Sequence, residues 1–274
     1  MVFTTYEIQS PALRPFIKYI LFNYSNEPAL STAVTYYPNN DVCLGIIKGK
    51  QMASEQGGFV LKPSSSPFTS YLTGIYDSPH RLQVDGTFDE ICLPFSPLGY
   101  FHFFRFSLKQ YILQEDLLTE AFGKPALSLF ERVFEEDDFG RRGALIEGFL
   151  QDCLIGFEDN FLKAALYYLE SAGGLLPLKA VTEQLQCSEK KLQRSFMLHL
   201  GILPKEYAQI LKFREALRLV SRNDGQSLTS LSYEAGYYDQ SHFTKYIKRY
   251  TGKSPLDLKR SIRNLDQKVL FTQT

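Results

Sequence analysis

The chain has 274 residues, of which 44% are hydrophobic and 14% aromatic, and this composition excludes a disordered chain. Its length suits two domains of about 100–200 residues each. Basic and acidic residues balance at 30 each, yet residues 1–157 carry 12 basic and 18 acidic side chains (net −6) and residues 158–274 carry 18 and 12 (net +6). This asymmetry predicts that only the second half faces a polyanion.

The four cysteines lie far apart, without the spacing of a metal site or redox motif. They predict thiols of a reducing compartment rather than disulfides or zinc ligands. The first ten residues lack the basic and apolar regions of a signal peptide, and the apolar stretches are shorter than the roughly 20 residues of a membrane span. We therefore expect a cytoplasmic protein with no membrane partner.

Residues 30–106 predict an antiparallel β-barrel or sandwich. Short β-branched and aromatic runs alternate there with turn formers, such as Gly57-Gly58 and the stretch 63–66. Asp85-Gly86 is the strongest hairpin signal, between the runs HRLQV and TFDEICL. Upstream, the stretch 11–22 is expected to be helical at its end.

Helical spacing replaces the strand pattern after residue 107. It predicts helices over 107–122, 125–136 and 141–157, with Pro125 at a helix start. The last helix has a wide apolar stripe, formed by Leu145, Ile146, Phe149, Leu150, Cys153 and Leu154. The stripe either packs on its own barrel or contributes to a subunit interface, and the sequence leaves both open.

Catalytic chemistry has little support in this half. His80 and His102 have no neighbouring histidine or carboxylate to complete a metal-ligand set, so we expect no metal and no cofactor. Phosphate-binding loops and nucleophile elbows are absent from the sequence, and we expect no enzyme. Four aromatic residues suit either a ligand pocket or the core: Tyr71, Tyr76, Phe95 and Tyr100.

From residue 159 onward the sequence predicts almost continuous helix, and one unit occurs twice. Each copy has a short helix, a tight turn and a longer helix, the order of a helix-turn-helix. Three positions of the first longer helix have counterparts 51 positions later: Leu192, Phe196 and Gly201 correspond to Phe243, Ile247 and Gly252. Both glycines are predicted to end their helices in the left-handed conformation.

The outward faces of the two longer helices carry groups that suit DNA. Ser188 and Asp239 are predicted N-caps, whose helix N-termini favour phosphate. Arg and Lys pair with guanine and Gln with adenine in the major groove. The predicted DNA-binding residues are Lys190, Gln193 and Arg194 in the first helix and Gln240, Ser241, His242, Lys245, Lys248 and Arg249 in the second.

A helix over residues 204–222 is predicted to join the two units. At 1.5 Å per residue it is about 30 Å long, close to the roughly 34 Å of one DNA turn. Both recognition helices could then enter successive major grooves on one side of a duplex.

These segments resemble the DNA-binding domain of AraC/XylS-type regulators over residues 160–262. In the second copy the resemblance rests on Gly236-Tyr237, Asp239, Ser241, Phe243, Thr244, Ile247, Lys248, Gly252 and Pro255. In the first it rests on Ser188, Leu192, Gln193, Arg194, Phe196, Gly201 and Tyr207. The family often has Ala four residues before a Gly in each turn, whereas this chain has Thr182 with Gln186 and Ser232 with Gly236.

The resemblance implies a DNA-binding transcription regulator, such as an activator, that reads double-stranded DNA from the start of each recognition helix. The N-terminal half resembles more weakly the cupin-like sensor domains of such regulators, which implies a small-molecule effector or a homodimer, and contact with RNA polymerase. The expected fold is α+β, with a β-barrel domain and trailing helices over 1–157, an all-α double helix-turn-helix over 158–262 and a tail over 263–274. Alternatives are an effector-independent DNA-binding protein and a metal-dependent cupin-type enzyme.

Overall fold

The computed structural model describes residues 1–55, 57–105, 117–222, 225–265 and 268–274. These residues form two compact units. The first unit contains residues 1–32, 41–74 and 83–158, and the second contains 33–40, 75–82 and 159–274. The predicted helix over 107–122 lies partly outside the described residues. The predicted domain division at 157/158 and the tail over 263–274 stay predictions.

The strands are β1 (Val2–Tyr6), β2 (Ile20–Ser25), β3 (Ser31–Tyr36), β4 (Val42–Glu55), β5 (Gly58–Thr73), β6 (His80–Asp85), β7 (Phe88–Phe95), β8 (Ile262–Leu265) and β9 (Val269–Gln273). The α-helices are α1 (Leu117–Phe122), α2 (Lys124–Glu135), α3 (Phe139–Asp152), α4 (Asn160–Ser171), α5 (Leu178–Gln184), α6 (Glu189–His199), α7 (Pro204–Ser221), α8 (Leu228–Glu234), α9 (Gln240–Thr251) and α10 (Pro255–Ser261). A short 3-10 helix covers Gly99–His102.

The first unit has an antiparallel sheet in the order β1-β2-β7-β4-β5. β7 lies at its centre, between β2 and β4, and all eight of its residues are buried. Helices α1–α3 cover one face: the Phe68 ring lies 5.9 Å from that of Phe134, and Arg142 donates two hydrogen bonds, of 2.9 and 3.0 Å, to the carboxylate of Asp89. The predicted α+β class, with a barrel-like strand domain, trailing helices and a helical C-terminal domain, is confirmed.

The apolar stripe of α3 is buried or half-buried along its length. Ile146 and Leu150 are buried, and the Phe149 ring lies 5.6 Å from that of Phe122. Gly143 allows β1 to approach, because a Cβ there would lie 2.2 Å from the Tyr6 ring. The Tyr6 hydroxyl donates a 2.8 Å hydrogen bond to Glu147 of the same helix. The stripe therefore packs at least in part on its own unit.

Three local predictions in this half are wrong. The stretch 11–22 begins with turns, and Ile20 and Leu21 lie in β2, where they pair with β1. β7 pairs with β2 and β4, so Asp85-Gly86 does not join a hairpin of β6 and β7, and the Gly86 N–H donates to Leu30 instead. Residues 63–66 lie within β5, at an irregularity in its pairing with β4, rather than between strands.

The second unit is mainly helical and also includes strand residues. β9 pairs with β3 and β8, so the end of the chain meets residues 33–36. A core packs around α7 and contains Phe213, Leu217, Phe243 and Ile247 together with Tyr37 and Leu270. Within the described residues, no helix combines the length and apolarity needed to cross a membrane.

Candidate nucleic-acid interface

The first helix-turn-helix consists of α5 and α6. Ser188 caps α6, since its hydroxyl accepts a 3.2 Å hydrogen bond from the Lys191 N–H. Leu192 and Phe196 are buried, which fixes the face of α6 that packs inward. The opposite face presents three exposed side chains, those of Lys190, Gln193 and Arg194.

The second helix-turn-helix consists of α8 and α9 and repeats this arrangement. The Asp239 carboxylate accepts a 2.7 Å hydrogen bond from the His242 N–H, and Gly252 ends α9 in the left-handed conformation. Phe243 and Ile247 are buried. Six polar or basic side chains are exposed on the other face, those of Gln240, Ser241, His242, Lys245, Lys248 and Arg249.

The two turns share one hydrogen-bond pattern despite their different residues. The Cys187 N–H donates to the Thr182 carbonyl at 3.0 Å, and the Tyr237 N–H donates to the Ser232 carbonyl at 2.9 Å. Gln186 adopts φ 47° where the second turn has Gly236 at φ 71°. The first turn therefore keeps the left-handed geometry that its Gln disfavours.

The second turn is one residue longer. The turns correspond with an offset of 50 residues (Cys187 and Tyr237), whereas the caps Ser188 and Asp239 are 51 apart. The extra residue is Tyr238, and it is 88% exposed at the start of the recognition helix. Tyr238 is not among the DNA-binding residues predicted from the sequence, although the change of offset between the two copies is a signal for it.

Helix α7 connects the two helix-turn-helix units. Its 18 residues span about 27 Å. The Phe196 ring of α6 lies 5.7 Å from that of Tyr207, and the Tyr250 ring of α9 stacks on Phe213 at 4.9 Å. Aromatic contacts therefore hold both recognition helices to this one helix.

The charges on the outward faces remain available to a ligand. Among the described residues, no ion pair involves Lys190, Arg194, Lys245 or Lys248. A basic side chain that is unpaired on the surface can contact a phosphate or a base edge without first breaking an internal bond.

His80 and His102 each stack on an aromatic ring. His80 stacks on Tyr76 at 4.0 Å, burial lowers its pKa, and His102 stacks on Phe16 at 3.8 Å. Within the described part of the chain, no group of three or more His, Cys, Asp and Glu could hold a metal ion. Tyr71, Phe95 and Tyr100 are buried. The four cysteines, Cys43, Cys92, Cys153 and Cys187, are free.

Two capped, outward-facing helices on one connecting helix define a double helix-turn-helix DNA-binding domain. Residues 181–261 match the family described as "Helix-turn-helix domain". The resemblance to AraC/XylS-type regulators is confirmed for this part of the chain.

Several relatives match part of the chain. The HTH-type transcriptional activator RhaS of Salmonella arizonae is 28% identical over 125 residues, which cover 43% of this chain and 41% of that protein. The same protein of Salmonella newport matches equally. The chain thus spans about two fifths of the length of the curated relatives it matches. A crystal structure of ToxT from Vibrio cholerae covers 88% of this chain and 97% of its own, at 12% identity and a TM-score of 0.49.

Proposed function

We propose that this protein is a sequence-specific DNA-binding regulator of transcription. The observation that supports this most directly is the pair of helix-turn-helix units, each with a buried apolar face and an exposed polar face. The net charge of +6 over residues 158–274 agrees with a polyanionic partner.

In the proposed complex, each recognition helix reads one major groove of double-stranded DNA. Lys190, Gln193 and Arg194 contact the first box, and the exposed residues at the start of α9 contact the second. Lys248 and Arg249 lie further along α9 and contact phosphates. The length of α7, about 27 Å, is comparable to the roughly 34 Å of one DNA turn. We therefore expect two boxes that lie about one turn apart.

The first compact unit is proposed to regulate the DNA-binding helices. In this proposal the unit binds a small-molecule effector or pairs two subunits into a homodimer, and thereby changes DNA occupancy or contact with RNA polymerase. Because the named relatives are transcriptional activators, activation is the proposed direction of regulation. The protein would act in the cytoplasm, without a catalytic activity of its own.

The test is selection of bound sites from a random-sequence duplex pool by the full-length protein. We expect two boxes spaced by about one helical turn. Arg194→Ala and Lys245→Ala should each relax the preference in one box and weaken binding by about 1–3 kcal/mol, because each removes a charged contact to a base.

Lys163→Ala is the matched control, because Lys163 is an exposed lysine on α4, outside both recognition helices. It should leave both boxes unchanged. Binding that is weak, salt-sensitive and indifferent to sequence would contradict the proposed function.

A further inference from the structure

Thr229 contacts the first residue of the second recognition helix. Its hydroxyl donates a 2.8 Å hydrogen bond to Oε1 of Gln240, which follows the N-cap Asp239 directly. Both side chains are exposed on the surface that the second helix-turn-helix presents. The bond therefore orients a predicted base-reading side chain from outside its own helix.

The backbone of Thr229 is itself well fixed. Its carbonyl accepts a 2.7 Å hydrogen bond from the buried Ser232 hydroxyl, and the Ser227 hydroxyl accepts one of 3.1 Å from the Ser230 N–H at the start of α8. The Thr229 side chain is thus attached to backbone that the first turn of α8 holds in place.

The direction of this bond has a chemical consequence for Gln240. A glutamine amide has one accepting and one donating end, and free rotation about its last bond exchanges them. Thr229 holds Oε1 on its own side, so Nε2 is directed elsewhere as a donor, and Oε1 keeps a second lone pair. Reading of adenine in the major groove uses one donor to N7 and one acceptor from the N6 amino group.

We propose that Thr229 is a specificity-determining positioning residue, which presets the Gln240 amide for one base of the second box. This inference rests on the proposed DNA-binding function. Preorganisation favours binding because the side chain is ordered before the complex forms.

The first helix-turn-helix lacks this arrangement. Thr229 corresponds to Lys179 by the 50-residue offset of the turns, and Gln240 corresponds to Glu189 by the 51-residue offset of the recognition helices. Both residues of the first copy are charged, so they cannot make a neutral hydroxyl–amide bond. A preset amide is thus particular to the second box, and the two boxes should differ in how they are read at this position.

The experiment selects sites from a random duplex pool with the full-length wild type and with Thr229→Val, Thr229→Ser, Gln240→Ala and the double variant Thr229→Val/Gln240→Ala. Val keeps the shape of Thr without its hydroxyl, and Ser keeps the hydroxyl. Ser230→Ala is the control, because it removes a neighbouring hydroxyl that bonds to Gln226 instead, at 3.3 Å. Thermal unfolding confirms that each variant is folded.

We expect Gln240→Ala to abolish the preference at one position of the second box, and Thr229→Val to weaken it at that same position by about threefold to tenfold, the range of one hydrogen bond. Thr229→Ser and Ser230→Ala should leave it unchanged, and the double variant should match Gln240→Ala. The inference alone would be overturned if Thr229→Val left the base preference at that position unchanged. It would also be overturned if the losses of preference caused by Thr229→Val and Gln240→Ala added fully in the double variant. Failure of the wild type to select any motif would instead overturn the proposed function.

Discussion

Gln186 has a left-handed backbone, at φ 47°, alone among the non-glycine residues that the structure describes. The left-handed conformation costs a residue with a side chain roughly 1–2 kcal/mol of conformational free energy, whereas Gly adopts it without this cost. Gln186→Gly should therefore raise the free energy of unfolding by about 0.5–1 kcal/mol, after the greater flexibility of Gly in the unfolded chain is counted. Urea denaturation of the full-length protein measures the change.

Gln184→Gly provides the matched control for this prediction. The same substitution two residues earlier lies at the exposed end of α5, in helical conformation. There Gly should lower the free energy of unfolding by up to about 1 kcal/mol. Equal effects of the two variants would show that the left-handed turn is not strained.

Glu90 is a buried carboxyl group on the central strand of the first unit, with 1% of its surface exposed. Tyr71 and Asn23 donate hydrogen bonds of 2.7 and 2.6 Å to its two oxygens. Burial raises the pKa of Glu90 despite these donors. The folded protein thus retains a proton at pH values where the unfolded chain has lost it, and this contribution to stability falls as the pH rises above the usual Glu range.

The corresponding prediction concerns Glu90→Gln, which is neutral at every pH. Its amide can donate to the Tyr71 oxygen and accept from Asn23. Relative to wild type, the variant should gain thermal stability as the pH is raised from 5 to 8, measured as the difference in Tm. Glu131→Gln, at an exposed position of α2, should show no such trend. A difference in Tm that is constant with pH would contradict the buried, proton-retaining state.

At the scale of elements, the helix-turn-helix units could be predicted because their signals are local. Each recognition helix has a capping side chain, an apolar repeat of three or four residues and a terminal Gly within about 15 positions. The connecting helix was predicted over 204–222 and is observed over Pro204–Ser221. Its aromatic contacts to both neighbours follow from apolar residues on more than one of its sides.

Strand partners in the first unit could not be predicted in the same way. The Asp85-Gly86 turn has the left-handed Gly that the sequence suggests, with φ 71°, yet the strand after it pairs with β2 and β4. A turn signal specifies local backbone, whereas pairing depends on which strands can bury both faces of β7. The stretch 11–22 was misassigned because a few apolar positions fit one helical turn and a buried strand equally well.

The sequence predicts which residues of the recognition helices are exposed, but it does not predict the contacts that other helices make with them. A periodic pattern identifies which face of α9 is free, so the outward residues could be named from sequence. The Thr229 bond to Gln240 joins two helices, and only their packing reveals it.

The second compact unit contains segments that lie far apart in the sequence. Residues 33–40 and the terminal strand β9 belong to it, together with the helical part. The Tyr37 hydroxyl lies 3.0 Å from that of Thr272, and Ala33 exchanges two backbone hydrogen bonds with Thr274. Such pairings join residues more than 230 positions apart, which local periodicity cannot reveal.

If β9 belongs to the folding unit of the DNA-binding helices, then Leu270 is a core residue of that unit. It is 4% exposed and clusters with residues of α7 and α9. Leu270→Ala should lower the free energy of unfolding of this unit by about 2–4 kcal/mol, because it removes buried methyl groups and leaves a cavity. Leu256→Ala, the same change at a leucine that is 49% exposed on α10, should cost well under half as much. Urea denaturation of the full-length variants distinguishes the two, and equal costs would mean that the end of the chain does not stabilise the DNA-binding helices.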